Sequence, residues 1–217
     1  MTRVKICCIS SIVEAQLAIK YGASALGLVS AMPSGPGVIS EELISQIAEQ
    51  IPPGISTFLL TSKQSVEEII EQQRRCKTNT VQICDKIVHG SYIQLKKALP
   101  GIKIVQVIHI TGEESFDEAV EVSKNVDTLL LDSGNQKLAV KELGGTGRTH
   151  DWTISRKIVD SVKIPVFLAG GLNAENVADA VRHVKPYGVD ICSGVRTNGK
   201  LDERKVKLFF ANLNTVQ

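Results

Sequence analysis

Eight short, apolar, β-branched runs recur along the chain, each followed by a segment with helical patterning. The runs are Val4–Cys8, Ala25–Val29, Ser56–Leu60, Thr80–Cys84, Lys103–Ile108, Thr128–Leu131, Pro165–Leu168 and Val189–Cys192. Short, continuously apolar runs are what strands buried on both faces require. The intervening segments carry helix signals. Ser11–Tyr21 sets Ile12, Ala15 and Ile19 on one face, and Ser40-Glu41-Glu42-Leu43 offers a capping serine with first-turn acids. Ser65–Gln73, Ser91–Leu99, Glu113–Lys124, Asp151–Val162, Asn173–Val184 and Asp202–Leu213 complete the set. Eight strand–helix units in order predict an α/β protein of the (β/α)8 or TIM-barrel type, a parallel eight-stranded barrel with outer helices. A doubly wound open sheet would carry GxGxxG in its first turn, and none follows the first run. The 217 residues suffice for one core, and no linker divides them, so residues 1–217 are expected to form a single domain.

A barrel gathers the loops after its strands on one face, so residues far apart in sequence can converge there. Two runs end in proton-transfer groups, Cys7 after the first and Asp132 after the sixth. Gly170-Gly171 and Ser193-Gly194 follow the seventh and eighth runs, the usual phosphate cradle of this architecture, where missing side chains let backbone N–H groups approach an anion. The long segment Ser133–His150 contains Gly144-Gly145-Thr146-Gly147-Arg148 and reads as a binding loop or lid.

Bulk properties exclude several classes. A net charge of +2 with 22% charged residues gives no basis for nucleic-acid or membrane-surface binding. The N-terminus, polar and followed at once by a strand, does not resemble a signal peptide, and no apolar run approaches the roughly 18 residues of a membrane helix. The five cysteines form no CxxC pair, so a disulfide framework and a zinc site are not expected, and a reducing cytoplasm is. No cluster of His or carboxylates suggests a metal. Composition fits a monomer or a homodimer.

The blocks Lys5-Ile6-Cys7, Leu130-Leu131-Asp132-Ser133, Gly144-Gly145-Thr146-Gly147-Arg148-Thr149-His150-Asp151-Trp152, Leu168–Val177 and Pro186–Val195 resemble, in order, those of the phosphoribosylanthranilate isomerase family of tryptophan biosynthesis. The resemblance implies a (β/α)8 barrel that performs an Amadori rearrangement of a phosphoribosyl substrate without a cofactor. By position, Asp132 would protonate the ribose ring oxygen and Cys7 would remove the C2′ proton. Gly147, Gly170, Gly171, Ser193 and Gly194 would hold phosphate, with Lys5, Arg148 and Arg196 orienting the substrate. Cys7 must reach the thiolate state, helped by a cation such as Lys5 or by helix N-termini. Asp132 must keep a proton, which calls for burial or an anionic neighbour. Lys5 has a second reading, a barrel lysine paired with a carboxylate.

Four positions depart from the family pattern. Cys8 stands for a glycine, Gly37 for the arginine that engages anthranilate, Cys84-Asp85 for His-Gly, and Arg196 for an acid. Arg148, Arg196 or His109 are the candidate replacement cations. Two alternatives to the standard isomerase therefore stay open: a paralogue isomerising another phosphoribosyl-type substrate, and a non-catalytic phospho-ligand binding protein.

Overall fold

In a computed structural model, which describes residues 1–134, 140–144 and 147–216, eight parallel strands close into a barrel in sequence order. The strands are β1 (Arg3–Ile6), β2 (Ala25–Val29), β3 (Ser56–Thr61), β4 (Thr80–Ile83), β5 (Lys103–His109), β6 (Thr128–Asp132), β7 (Val166–Leu168) and β8 (Gly188–Ile191). The helices α1 (Ile12–Lys20), α2 (Glu41–Gln50), α3 (Val66–Cys76), α4 (Tyr92–Ala98), α5 (Glu114–Ser123), α6 (Trp152–Ser161), α7 (Val177–Val184) and α8 (Glu203–Leu213) follow the strands one for one. Closure is made by β1 against β8, with Lys5 opposite Asp190 and Ile6 opposite Ile191.

Local chemistry explains the boundaries. Ser11, Ser40, Ser91, Asp151 and Asp202 accept backbone N–H groups of the first turns of α1, α2, α4, α6 and α8, satisfying donors the helix leaves unpaired. The seventh helix starts at Val177 rather than Asn173. Asn173 Oδ1 accepts the N–H groups of Glu175 and Asn176, and Asn176 Oδ1 accepts that of Asn173, so the two side chains close a turn that competes with the helix. Pro165 lacks an N–H, and β7 begins one residue later.

The two-residue period of the strands sorts the side chains into two cores. Val4, Ile6, Leu26, Leu28, Val81, Ile83, Leu129, Leu131, Val189 and Ile191 pack outward against the helices. Cys7, Ala25, Val29, Phe58, Leu60, Cys84, Val105, Val107, Leu130 and Phe167 fill the barrel. Lys5, Asp132 and Asp190 share the inward parity and are buried. Parity thus turns the acid–base candidates toward the axis, and the strand ends set their height.

Candidate active site

A cleft of about 690 Å³, open mouth included, lies at the C-terminal ends of the strands. Cys7 and Asp132 both line it. On the Cys7 side, β2 contributes Gly27. A Cβ at Gly27 would sit 2.9 Å from Cys7 Sγ and 3.0 Å from Lys5 Nζ, so the missing side chain is what lets the thiol and the ammonium share that space. Lys5 is fully buried and donates to Asp190 Oδ2 at 2.9 Å. Burial alone would pull the Lys5 ammonium down, but Asp190 and then Cys7 outweigh it and hold its pKa above the ordinary lysine value. Lys5 is therefore a fixed positive charge beneath the candidate base. Asp132 is 8% exposed and fixed by accepting the N–H of Ser133 at 2.7 Å. Asp190 also lines the cleft; its pKa is pushed up by burial, and the Asp132 charge adds to that shift.

The glycines of the anion end converge. Gly147, Gly170, Gly171 and Ser193 line the same cleft. Gly170 and Gly171 have φ of 84° and 62°, and a Cβ on Gly171 would lie 2.6 Å from the Arg148 carbonyl carbon. Only glycine allows this left-handed backbone with the sixth loop lying directly on it. A Cβ on Gly147 would lie 3.7 Å from Ser193 Oγ, so loops six and eight meet where the seventh supplies bare backbone. Gly194 has another role: it does not line the cleft, and its α-hydrogen faces the Leu172 carbonyl, packing loop eight onto loop seven. Gly145 and Thr146 of the same motif lie outside the described residues.

Two expected orienting cations are placed elsewhere. Arg148 is exposed and paired with Glu142. Arg196 is buried beneath the site: it pairs with Glu14 at 3.0 Å and donates to the carbonyls of Cys7, Cys8 and Gly199. It positions the backbone that carries Cys7 and does not face the cleft. His109 turns Nε2 toward the Cys84 carbonyl at 3.0 Å. Among the described residues, no lysine or arginine lines the cleft.

The departures resolve into linked sets. Cys8 has φ of 61°, a left-handed backbone natural to the glycine it replaces, and its side chain fills the space beside Gly37. A Cβ on Gly37 would overlap Cys8 Cβ and lie 2.9 Å from Cys8 Cα. The residues at 8 and 37 are thus mutually dependent, and the guanidinium of Arg196 satisfies the carbonyls around Cys8. Asp85, 5% exposed, pairs with Lys141 of the sixth loop at 2.5 Å, while Ser34 of the second loop donates to the Lys141 carbonyl at 2.6 Å. Three loops meet there. Sequence motifs did not signal the apolar wall of Val29, Met32, Pro36, Leu60 and Leu143, but inward strand parity picks out Val29 and Leu60.

A family model described as N-(5'phosphoribosyl)anthranilate (PRA) isomerase matches residues 4–212. The chain belongs to that family. It is similar to N-(5'-phosphoribosyl)anthranilate isomerase 2 of Methanosarcina mazei, with 39% identity over 94% of this chain and 90% of that protein. The N-(5'-phosphoribosyl)anthranilate isomerase of Methanocella arvoryzae is 31% identical over the whole of both chains. Among solved structures, phosphoribosyl anthranilate isomerase from Thermotoga maritima superposes with a TM-score of 0.82 at 29% identity, covering 99% of this chain and 100% of that one. A further isomerase structure, in complex with reduced 1-(o-carboxyphenylamino)-1-deoxyribulose 5-phosphate, gives a TM-score of 0.80 at 28% identity over 99% and 100% of the two chains.

Proposed function

We propose that this chain isomerises N-(5'-phosphoribosyl)anthranilate to 1-(o-carboxyphenylamino)-1-deoxyribulose 5-phosphate, a step of tryptophan biosynthesis, with no cofactor. The observation that carries this reading is one cleft that has a carboxyl group and a thiol on its walls and a glycine-lined anion end. The phosphate sits against Gly147, Gly170, Gly171 and Ser193, which places the ribose between Asp132 and Cys7. Asp132 gives its proton to the ring oxygen as the C1′–O bond breaks, and the anilino nitrogen supplies the electron pair that forms the Schiff base. The Cys7 sulfur, with the Lys5 ammonium beside it, removes the C2′ proton to give the enolamine. Protonation at C1′ then yields the ketone, so the reaction is an isomerisation with no net loss of atoms. The aromatic ring lies on the apolar wall formed by Cys8, Met32, Pro36 and Leu143. The free thiols fit a reducing compartment and the expected cytoplasmic setting.

One observation favours a second reading: among the described residues, no lysine or arginine on the cleft wall faces a substrate carboxylate. A phosphoribosyl amine with a neutral aromatic aglycone would then turn over at least as well. Steady-state turnover of freshly generated phosphoribosylanthranilate beside its phosphoribosylaniline counterpart decides between them. Cys7→Ala and Asp132→Asn are each expected to lower kcat by about 100- to 10,000-fold, the usual worth of a positioned acid or base. Wild-type protein that folds, binds a phosphoribosyl ligand and turns over neither substrate overturns the catalytic reading.

A further inference from the structure

Four thiols line the cleft, those of Cys7, Cys8, Cys84 and Cys192, and the mechanism uses one. Cys8 and Cys192 come from the loops after β1 and β8, separated by 184 residues, and their Sγ atoms share a hydrogen bond at 2.7 Å. Both line the cleft. Two independent features hold them together. Arg196, four residues beyond Cys192, donates to the Cys7 and Cys8 carbonyls, tying the two loops at the backbone. Gly37, having no side chain, leaves the Cys8 side chain its space.

We propose that Cys8 and Cys192 form a redox-sensitive dithiol that peroxides oxidise to an intramolecular disulfide, shutting the active site reversibly. Cys192 is the point of entry, being half-buried while Cys7 and Cys8 are buried. Its hydrogen bond with Cys8 draws it toward the thiolate, and the Arg196 charge adds to this against the effect of burial. Cys8, in the same hydrogen bond and a second one with Cys7, holds its proton well above the ordinary thiol range. The Cys192 thiolate attacks a peroxide oxygen, the O–O bond breaks, and with one proton the products are Cys192 sulfenic acid and water. Cys8 sulfur then attacks Cys192 Sγ, the S–O bond breaks, and the second water leaves with the Cys8 proton. Two thiols and one hydrogen peroxide give one disulfide and two waters, so two electrons pass from sulfur to oxygen.

The consequence for turnover follows from position. Cys8 directly follows Cys7, and Cys192 directly precedes Ser193 at the anion end. An S–S bond of about 2.05 Å draws these two ends of the cleft together. Small displacements of a base or a phosphate cradle are costly, and we expect kcat/KM to fall by on the order of tenfold or more. Cys84 stays outside this chemistry because burial pushes its thiol up to about 12.

The reduced protein is titrated with one equivalent of hydrogen peroxide and read by intact mass, thiol count in denaturant and a non-reducing peptide map. The expected result is a loss of about 2 Da, three titratable thiols in place of five, and one cross-linked peptide pair joining Cys8 to Cys192. Cys8→Ser and Cys192→Ser should each abolish that product. Turnover, measured against each protein's own reduced state, should fall with the linked fraction and return with dithiothreitol. Oxygen addition at Cys7 without a cross-link, a Cys7–Cys8 link, or full linkage with undiminished turnover overturns the proposal. Mass and mapping need no substrate, so this test stands apart from that of the catalytic function.

Discussion

At the scale of single residues, Cys8 and Gly37 are best understood as one substitution made in two places. Each has a left-handed backbone, and a Cβ on Gly37 would occupy the position of Cys8 Cβ. A side chain at 37 is therefore strained twice over, by its φ of 80° and by the collision. Adding an arginine there tests the coupling. Gly37→Arg alone should lower stability and leave the KM for phosphoribosylanthranilate no better than wild type. Cys8→Gly/Gly37→Arg should recover the part of the stability lost to the side-chain collision and lower KM. One charge-assisted contact to the anthranilate carboxylate is worth about 1.5–3 kcal/mol, roughly 10- to 150-fold. A double-mutant cycle in KM and in urea midpoint measures this. Additive effects of the two substitutions would show that the positions do not depend on each other.

At the scale of elements, the first helix is joined to the end of the barrel by one carboxylate. Glu14 in the first turn of α1 accepts from the Ser10 N–H at 3.0 Å, the Leu201 N–H at 2.8 Å and both terminal nitrogens of Arg196. Burial by itself would raise its pKa, but Arg196 and the two backbone donors outweigh burial and hold it below the ordinary glutamate value. A folded-state pKa below the unfolded one, about 4.3, means that the unfolded chain binds the extra proton first as pH falls. The stabilisation is complete above that value and disappears as pH drops through the folded pKa. Thermal melts of wild type and Glu14→Gln from pH 7 to pH 3 should show a Tm gap that is constant down to about pH 5 and then closes. A gap independent of pH would remove the charge from the explanation. Much at this scale was legible in sequence. Apolar runs marked all eight strands, and capping residues marked most helix starts, because both rest on local chemistry. The direction of Arg196 was not legible. A long side chain on a loop goes where its acceptors are, and Glu14, Cys7 and Cys8 lie 182 to 189 positions away, where only the closed barrel brings them near.

At the scale of the whole molecule, the barrel closes where its first and last strands meet, and that seam carries a buried ion pair. Lys5 and Asp190 face each other in register, at 0% and 8% side-chain exposure. The same two strands deliver Cys7, Cys8, Cys192 and the Ser193 end of the anion site, while Asp132 arrives from β6. The barrel seam and the cleft thus share one pair of charges, and the sequence offered a carboxylate partner as one of two readings of Lys5 without saying which carboxylate. Removing one partner leaves the other charged and buried, which costs about 3–5 kcal/mol, whereas replacing both by apolar groups of similar volume is often neutral. Asp190→Asn should therefore shift the urea midpoint strongly downward. Lys5→Met/Asp190→Leu should fold with near wild-type stability yet turn over substrate poorly, since the ammonium packed beside Cys7 is gone. In that double variant kcat should fall by about tenfold or more while the urea midpoint stays near the wild-type value. An unchanged kcat would mean that the Lys5 charge serves barrel closure alone.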